Sequence, residues 1–304
     1  MTVASVPTPD ALASVGELDG IELIVWDGTG PRPAKADRLE FFVARYEAAP
    51  LRPGSLDGLP ALRVVQLLSA GIEPWLDVVP PGVQLCNGRG VHGASTAELA
   101  VAGMLAVLRE LPYFERAQHA HEWDHDRVTA GITGQRVLVL GAGDIGQRVA
   151  AAVRAFDAEP TLVARTAREG VRSMDELPAL LAAHDAVVLA VPHTPQTHRL
   201  VDAAFLAALP DGALLVNVAR GAIVDTDALL AELTAGRLRA FLDVTDPEPL
   251  PAGHPLWDAP NLLLTPHVGG GTRGWDRRAY ELVRDQLLRF HRGEPLRNVV
   301  AHGY

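Results

Sequence analysis

A glycine-rich loop, Gly141-Ala142-Gly143-Asp144-Ile145-Gly146, stands between two segments of different character. The apolar run before it, Arg136 to Leu140, predicts a buried strand, and the segment after it, Ile145 to Phe156, predicts a helix. In such a unit the first glycine permits a tight turn, the second lets the backbone approach a pyrophosphate, and the third lets helix and strand pack closely. The helix N-terminus then offers N–H groups to the anion. The loop therefore predicts a dinucleotide-binding Rossmann domain rather than a purely structural turn.

The pattern around this loop is regular from Gln135 onward. Short apolar strands alternate with amphipathic helices, which is typical of a parallel sheet covered on both faces. Ser173 and Glu176 form a capping box at the start of one helix. The predicted strands are Arg136 to Leu140, Thr161 to Ala164, Ala186 to Val191, Ala213 to Val218, Ala240 to Val244 and Leu262 to Thr265. The predicted helices are Ile145 to Phe156, Met174 to Ala183, Ala203 to Leu209 and Ala228 to Ala235.

The first hundred residues predict a second, smaller α/β unit. Its predicted strands are Ile21 to Trp26, Val64 to Leu68 and Val83 to Cys86, each ending in turn residues. Ser95 to Glu98 is typical of a capping box and predicts a long helix that reaches about Leu111. The final predicted helix, Asp276 to Arg292, follows the glycines at 269–271 and is expected to return to the first unit.

The expected fold is therefore α/β, with two doubly wound parallel-sheet domains and a cleft between them. Residues 1–97 together with 273–304 are expected to form a discontinuous substrate-binding domain. Residues 98–272 are expected to form the Rossmann dinucleotide-binding domain.

Composition and charge argue against several classes of partner. The chain of 304 residues carries a formal net charge of −10, and because an acidic chain repels phosphate backbones, nucleic acid is not an expected partner. The N-terminus lacks a signal-peptide pattern, and no apolar run approaches the ~18 residues of a membrane-spanning helix. Cys86 is the single cysteine, which fits a reducing cytoplasm and a small buried apolar side chain.

The segment after the second predicted strand of the Rossmann domain bears on the choice of cofactor. NAD-binding domains place an acidic residue there, on the adenosine 2′-hydroxyl. This chain has Arg165-Thr166-Ala167-Arg168 instead. Two guanidinium groups and a hydroxyl suit a 2′-phosphate, which favours NADP (NADPH) over NAD, although NAD stays possible. The alternative is that these arginines are only solvated loop residues.

Three further segments follow predicted strands, where ligands bind in open α/β sheets. His267 is a candidate proton donor because its pKa lies near operating pH. A carboxylate such as Glu248 would raise that pKa, and Arg220 offers a planar cation for an anionic substrate. Each residue alone is weak evidence, but the three together follow successive strands. The segments are Asn217 to Gly221, Asp243 to Pro249 and Thr265 to Gly270.

These segments resemble the D-isomer-specific 2-hydroxyacid dehydrogenase family, over nearly the whole chain. The resemblance rests on Gly141 to Gly146, Val191 to Thr197, Asn217 to Gly221, Asp243 to Pro249 and Pro266 to Gly269. It implies that Arg220, Glu248 and His267 are the catalytic set. It implies a substrate site formed by Ala70, Gly71, Ile72, Arg220 and His267. It implies cofactor contacts at Gly141, Gly143, Asp144, Ile145, Gly146, Arg165, Thr166, Arg168, Val191, Pro192, Thr197, Val218, Ala219, Asp243, Gly269 and Gly270, with Asp243 on the nicotinamide carboxamide.

The resemblance also implies a homodimer whose partner lies near His119 to Arg127. Three positions depart from the family's pattern. Glu73 and Pro74 stand where the substrate loop usually carries an Asp two residues beyond its glycine, and Arg165 replaces the acid of NAD-dependent members. Glu248 argues against a formate dehydrogenase, because those carry Gln there.

The expected function is reduction of a small 2-oxoacid, of the glyoxylate or hydroxypyruvate type, to the D-2-hydroxyacid with NADPH. One alternative is a dinucleotide-sensing binding protein resembling the corepressors of this fold, and another is a dehydrogenase that oxidises a different small acid. No metal is expected, because one polar stretch such as His119 to Asp126 rarely supplies a closed coordination sphere. Trp123 and Trp275 could wall the substrate pocket or simply pack.

Overall fold

The computed structural model describes residues 1–46 and 51–300, in two compact units. The first unit comprises Met1–His92 with Thr272–Tyr304, and the second comprises Gly93–Gly271. Residues 47–50 and 301–304 of the expected first domain lie outside the described residues. Across the described ranges, none of the helices combines the length and the apolar character that a membrane crossing requires.

The first unit contains β1 (Thr2–Val6), α1 (Pro9–Val15), β2 (Ile21–Val25), β3 (Leu39–Val43), β4 (Val64–Gln66), β5 (Gln84–Cys86) and α8 (Trp275–Arg292). Its five strands form an all-parallel sheet with the order β2-β1-β3-β4-β5. Helix α1 begins with Pro9 after an N-cap at Thr8, whose hydroxyl accepts the N–H of Ala11 at 3.1 Å.

Helix α8 carries the chain back to the first unit. Ala279, Val283 and Leu287 are fully buried at intervals of four residues, and they pack with α1 and the apolar face of the sheet. This four-residue spacing of buried apolar residues is typical of a helix with one face on the core. Cys86 lies in the same core, and burial raises the pKa of its thiol to about 11, so the expectation of a small buried apolar side chain is met.

The second unit is built on a seven-stranded, all-parallel sheet. Its strands are β6 (Arg136–Leu140), β7 (Glu159–Ala164), β8 (Val171–Ser173), β9 (Ala186–Leu189), β10 (Leu214–Asn217), β11 (Arg239–Leu242) and β12 (Leu262–Leu264). They lie in the order β12-β11-β10-β9-β6-β7-β8, which is the Rossmann order when counted within the unit and which reverses between β6 and β9. Its helices are α2 (Gly93–Leu108), α3 (Leu111–Ala120), α4 (Asp144–Arg154), α5 (Leu177–Leu181), α6 (Ala203–Ala207) and α7 (Thr226–Thr234).

Two apolar cores cover the faces of this sheet. One includes α2 and α4 with Val137 and Val139, and the other includes α5, α6 and α7 with Leu138 and Leu140. Alternate residues of β6 therefore point into different cores, so every residue of the strand after Arg136 is apolar. The prediction of two parallel-sheet α/β domains, one of them a Rossmann domain, is confirmed.

The predicted start of α2 was wrong. The helix begins at Gly93, so Ser95 and Thr96 lie inside it and are buried rather than capping it. The helix ends at Leu108, and the left-handed backbone of Glu110 separates it from α3, so the single helix expected to reach Leu111 is two helices. Residues 93–97 belong to α2, and the second compact unit runs from Gly93 to Gly271.

The second predicted capping box is confirmed. The Ser173 N–H donates to Glu176 Oε1 at 3.0 Å, and the Ser173 hydroxyl accepts from the backbone of the turn that follows. That turn, Met174–Glu176, is a 3₁₀ turn, and the α-helix proper begins only at Leu177. Strands β1, β3 and β8 were not predicted.

Candidate active site

The glycine loop lies between β6 and α4, at the point where the strand order reverses. Gly141 has φ of +111°, and a Cβ there would overlap with the backbone of Ala190 at the end of β9. A Cβ at Gly146 would overlap with the Gly141 carbonyl oxygen. A Cβ at Gly143 would meet nothing within 4 Å, so packing within the chain does not require a glycine there. The open space beside Gly143, at the N-terminus of α4, fits a pyrophosphate.

Asp144 and Ile145 form the first turn of α4. Gly143 is the N-cap and supplies no side-chain hydrogen bond to that turn. Asp144 Oδ1 accepts the Arg148 Nε–H at 2.8 Å, so the negative charge beside the loop has a cationic partner. The turn can therefore receive an anion on its backbone amides in spite of the carboxylate.

The Arg165-to-Arg168 segment connects β7 to β8. Arg165 and Thr166 are exposed. Arg168 donates from its Nη2 to the Ala142 carbonyl oxygen at 3.0 Å, which holds its guanidinium against the glycine loop. A cation between the loop and the end of β7 is suited to a phosphate on the adenosine ribose.

The loop after β9 is held by a network of threonines. The Thr197 hydroxyl donates to the Pro192 carbonyl oxygen at 2.7 Å and accepts the Thr194 N–H at 2.8 Å. Thr197 is buried, whereas Pro192 is exposed. The loop is fixed at the edge of the sheet, next to the glycine loop, with Val191 at its start.

Arg220 is positioned by the turn that follows β10. Asn217 is 1% exposed, and its side chain accepts the Ala219 N–H at 3.0 Å and donates to the Arg220 carbonyl oxygen at 2.9 Å. Val218 and Ala219 are buried beneath the turn. The positioning role of Asn217 was missed in the sequence, where the signal was a polar side chain at the end of a buried strand.

Gly221 brings the loop of Glu248 against the turn of Arg220. A Cβ at Gly221 would overlap with the Thr245 carbonyl group, so only glycine allows the two backbones to approach. The Thr226 hydroxyl donates to the Asp246 carbonyl oxygen at 2.8 Å and ties the same loop to the start of α7. The role of Gly221 was also missed, because close approach of two distant segments leaves no local pattern.

Asp243 fixes the loop of His267. Its buried carboxylate accepts three hydrogen bonds, from the Thr265 hydroxyl at 2.6 Å and from the Val268 and Gly269 N–H groups at 2.9 Å each. The His267 N–H donates to the Asp243 carbonyl oxygen at 2.7 Å. These bonds hold His267 at φ of +54°, a conformation that non-glycine residues rarely adopt. Gly270 follows directly on this fixed segment.

His267 and Glu248 form a hydrogen-bonded pair. His267 Nδ1 and Glu248 Oε1 lie 2.5 Å apart, with each side chain a little under half exposed. This hydrogen bond raises the pKa of His267 above its usual 6.5, and burial works in the opposite direction. The same bond lowers the pKa of Glu248 below its usual 4.5. His267 therefore stays protonated, and Glu248 stays ionised, over a wider pH range than the two free side chains would.

Arg220 completes the cluster. Its positive charge contributes to lowering the pKa of Glu248, and it opposes the larger effect by which Glu248 raises the pKa of His267. The structure thus brings together Arg220, Glu248 and His267 at the carboxyl ends of β10, β11 and β12. In such a cluster the guanidinium of Arg220 can bind an anion, and the imidazolium of His267 can donate a proton. The carboxylate of Glu248 can keep His267 protonated.

The Ala70-Gly71-Ile72 segment belongs to the first unit, where it follows β4. Ala70 is exposed and Ile72 is fully buried. The Ser69 hydroxyl donates to the Gly71 carbonyl oxygen at 2.9 Å, so the loop has a defined shape despite the departures at Glu73 and Pro74.

The polar segment from His119 onward is held by pairs rather than by a cluster. Tyr113 donates its hydroxyl to Asp124 at 2.6 Å, and the Arg127 guanidinium stacks over the Tyr113 ring at 3.9 Å. Trp123 is 91% exposed, so it does not pack within the chain. Among the residues that the structure describes, no group of three or more His, Cys, Asp or Glu side chains is arranged to hold a metal ion.

The family model described as "D-isomer specific 2-hydroxyacid dehydrogenase, NAD binding domain" matches residues 101–269. A glyoxylate reductase of Pyrococcus horikoshii is 32% identical over 255 residues, which cover 78% of this chain and 76% of that protein. A D-3-phosphoglycerate dehydrogenase of Methanocaldococcus jannaschii is 32% identical over 250 residues, but this chain spans only 47% of its length.

The fold has close structural relatives as well. A D-isomer specific 2-hydroxyacid dehydrogenase of Xanthobacter autotrophicus Py2, solved in complex with NADPH and MES, superposes with a TM-score of 0.84 at 30% sequence identity. The superposition covers 99% of this chain and 98% of that one.

We expect Glu248→Gln to lower the pKa of His267 toward 6.5, because the neutral amide cannot stabilise the imidazolium as the carboxylate does. The titration of the His267 Cε1 proton, followed by NMR, measures this pKa directly. Glu122→Gln removes an exposed carboxylate elsewhere in the same unit and is the control, which should leave the His267 titration unchanged. An unchanged pKa in Glu248→Gln would mean that the carboxylate does not hold the proton on His267.

Proposed function

Because the chain belongs to the D-isomer specific 2-hydroxyacid dehydrogenase family, we propose that it reduces a small 2-oxoacid to the D-2-hydroxyacid with NADPH. The substrate is of the glyoxylate or hydroxypyruvate type. The observation that carries the proposal is the 2.5 Å hydrogen bond between His267 Nδ1 and Glu248 Oε1, beside Arg220. Reduction of a carbonyl consumes a proton at the oxygen, and a histidine held protonated by a carboxylate supplies it.

His267 is the proposed proton donor. Glu248 occupies Nδ1, so the ring is oriented and the proton on Nε2 passes to the carbonyl oxygen of the substrate. Glu248 stabilises the imidazolium before the transfer and orients the neutral ring after it. When bound, the nicotinamide supplies the hydride to the carbonyl carbon.

Arg220 is the proposed anchor of the substrate. Its planar guanidinium binds the carboxylate and polarises the neighbouring carbonyl oxygen. The backbone N–H groups of Ala70, Gly71 and Ile72 are proposed to bind a substrate carboxylate. Amide groups suit this task because they add hydrogen bonds without adding a titrating group.

The proposed cofactor site begins with the pyrophosphate at the glycine loop, on Gly141, Gly143, Asp144, Ile145 and Gly146. The 2′-phosphate of NADPH is proposed to bind to Arg165, Thr166 and Arg168. The relative from Xanthobacter autotrophicus Py2, which was solved with NADPH, supports this choice. The remaining proposed contacts are Val191, Pro192, Thr197, Val218, Ala219, Asp243, Gly269 and Gly270, with Asp243 on the nicotinamide carboxamide.

A homodimer in the cytoplasm stays a prediction. The segment proposed to face the partner subunit, His119 to Arg127, includes Trp123, which is 91% exposed, and Val128 directly after it is 93% exposed. Their side chains leave apolar surface that an interface would cover.

The first test is a turnover assay on a panel of 2-oxoacids that runs from glyoxylate and hydroxypyruvate to longer chains. We expect His267→Gln to lower kcat by about 10²- to 10⁴-fold, because the variant has no general acid. Arg220→Gln should raise KM for the 2-oxoacid and lower kcat/KM. His291→Gln changes a histidine of the first unit that bonds to Thr2, and should retain wild-type activity.

Two results would contradict the proposal. If His267→Gln kept full 2-oxoacid reduction, the assignment of the proton donor would be wrong. If the wild-type protein bound NADPH but reduced no member of the panel, a dinucleotide-sensing binding protein would be the better description.

The second test concerns the cofactor. We expect the wild-type protein to prefer NADPH over NADH, and Arg165→Ala to raise KM for NADPH by about 10- to 100-fold while KM for NADH changes little. The reason is that only NADPH carries the phosphate that the guanidinium would bind. Arg154→Ala, at the C-terminal end of α4 and so at the opposite edge of the sheet, is the control. A strong preference of the wild-type protein for NADH would overturn the assignment of Arg165.

A further inference from the structure

The substrate loop of the first unit, residues 69–72, is held through its carbonyl groups. Asn87 donates from Nδ2 to the Ala70 carbonyl oxygen at 3.0 Å. The Ser69 hydroxyl donates to the Gly71 carbonyl oxygen at 2.9 Å. Two consecutive carbonyl groups of the loop are therefore fixed by side chains of the same unit.

The two carbonyl groups that come before them are also fixed. The Gly88 N–H donates to the Ser69 carbonyl oxygen at 2.6 Å, and His92 Nε2 lies 3.1 Å from the Leu68 carbonyl oxygen. His92 must carry its proton on Nε2 to make this bond. Its ring is buried and stacks on Tyr46 at a centroid distance of 4.8 Å, so its position is set by packing as well.

This arrangement dictates where the amide groups of the loop point. In a planar trans peptide the C=O of one residue and the N–H of the next point in opposite directions. Because the carbonyl groups of Ser69, Ala70 and Gly71 face Gly88, Asn87 and the Ser69 hydroxyl, the N–H groups of residues 70, 71 and 72 face away from these donors. Successive N–H groups that face away from these donors are suited to binding an anion.

The side chain of Asn87 is held at both of its polar atoms. Its Oδ1 accepts the Arg89 N–H at 3.2 Å, which leaves Nδ2 for the Ala70 carbonyl oxygen. Its own backbone N–H donates to the Asn298 carbonyl oxygen at 3.1 Å. The residue is 8% exposed, so water does not compete for these bonds.

We propose that Asn87 is a positioning residue for substrate binding, because it locks the Ala70 carbonyl group and so turns the Gly71 N–H toward the substrate carboxylate. His92 acts in the same way one peptide group earlier in the chain, through the Leu68 carbonyl group. The inference rests on the proposed function, because it takes the substrate to be a 2-oxoacid. Its chemical consequence is a preference for substrates with a free, ionised carboxylate over their esters.

The test compares Asn87→Asp and Asn87→Ser with the wild-type protein. The aspartate is of the same size but offers an acceptor to the Ala70 carbonyl oxygen, and the serine removes the donor without adding charge. We expect both to raise KM for the 2-oxoacid by about tenfold or more while kcat changes less than about threefold. KM for NADPH should stay at the wild-type value.

A second readout separates positioning from a loss of structure. The ethyl ester of the same 2-oxoacid lacks the carboxylate, so the Asn87 variants should lose much less kcat/KM with the ester than with the acid. Asn261→Asp is the matched control for the change of an amide to a carboxylate, because Asn261 is an exposed residue of the second unit. It should keep the wild-type KM for the 2-oxoacid.

The outcomes distinguish this inference from the proposed function. An equal loss with acid and ester, or an equal rise of KM in Asn261→Asp, would make Asn87 a structural residue and overturn the inference alone. Binding of oxalate is followed through the NMR signals of the Ala70, Gly71 and Ile72 amides. If the wild-type protein shifted these signals, Asn87→Asp abolished the shifts and no 2-oxoacid were reduced, the inference would stand and the proposed function would fall.

Discussion

The carboxylate of Asp243 is the constraint on which the candidate active site depends. It is buried at the end of β11 and accepts three hydrogen bonds from the segment of Thr265, Val268 and Gly269. A buried carboxylate that lost these donors would be costly, so the segment is held tightly. The unusual backbone of His267 follows from this constraint, and the 2.5 Å bond to Glu248 follows from the position of His267.

The same edge of the sheet organises the rest of the site. Parallel strands place all their carboxyl ends together, so turns that are far apart in the chain become neighbours. Asn217 fixes the turn of Arg220, and Gly221 allows the loop of Glu248 to approach that turn. In the first unit the loop of residues 69–72 is positioned by hydrogen bonds to its carbonyl groups. The donor Asn87 fixes the Ala70 carbonyl group and so sets the direction of the next N–H group of the loop.

The sequence predicted those features that leave a local pattern. The glycine loop, the apolar strand β6 and the buried stripe of α8 each have a periodicity or spacing that one segment carries. The start of α2 was predicted wrongly because Ser95 and Thr96 have the composition of a cap but are buried inside the helix. The roles of Gly221 and Asn87 were not predicted, because they depend on contacts between segments that are distant in the chain. No local pattern records such contacts.

The dependence of turnover on pH, measured in both directions of the reaction, tests the central claim most directly. Because Glu248 raises the pKa of His267 above 6.5, 2-oxoacid reduction should be constant at low pH and fall as the pH rises through that pKa. Oxidation of the D-2-hydroxyacid should rise through the same pKa, because it needs the neutral ring. The pH midpoints of kcat/KM for reduction and for oxidation should coincide above pH 6.5, and both should move to lower pH in Glu248→Gln. Midpoints that stay in place in this variant would contradict the central claim.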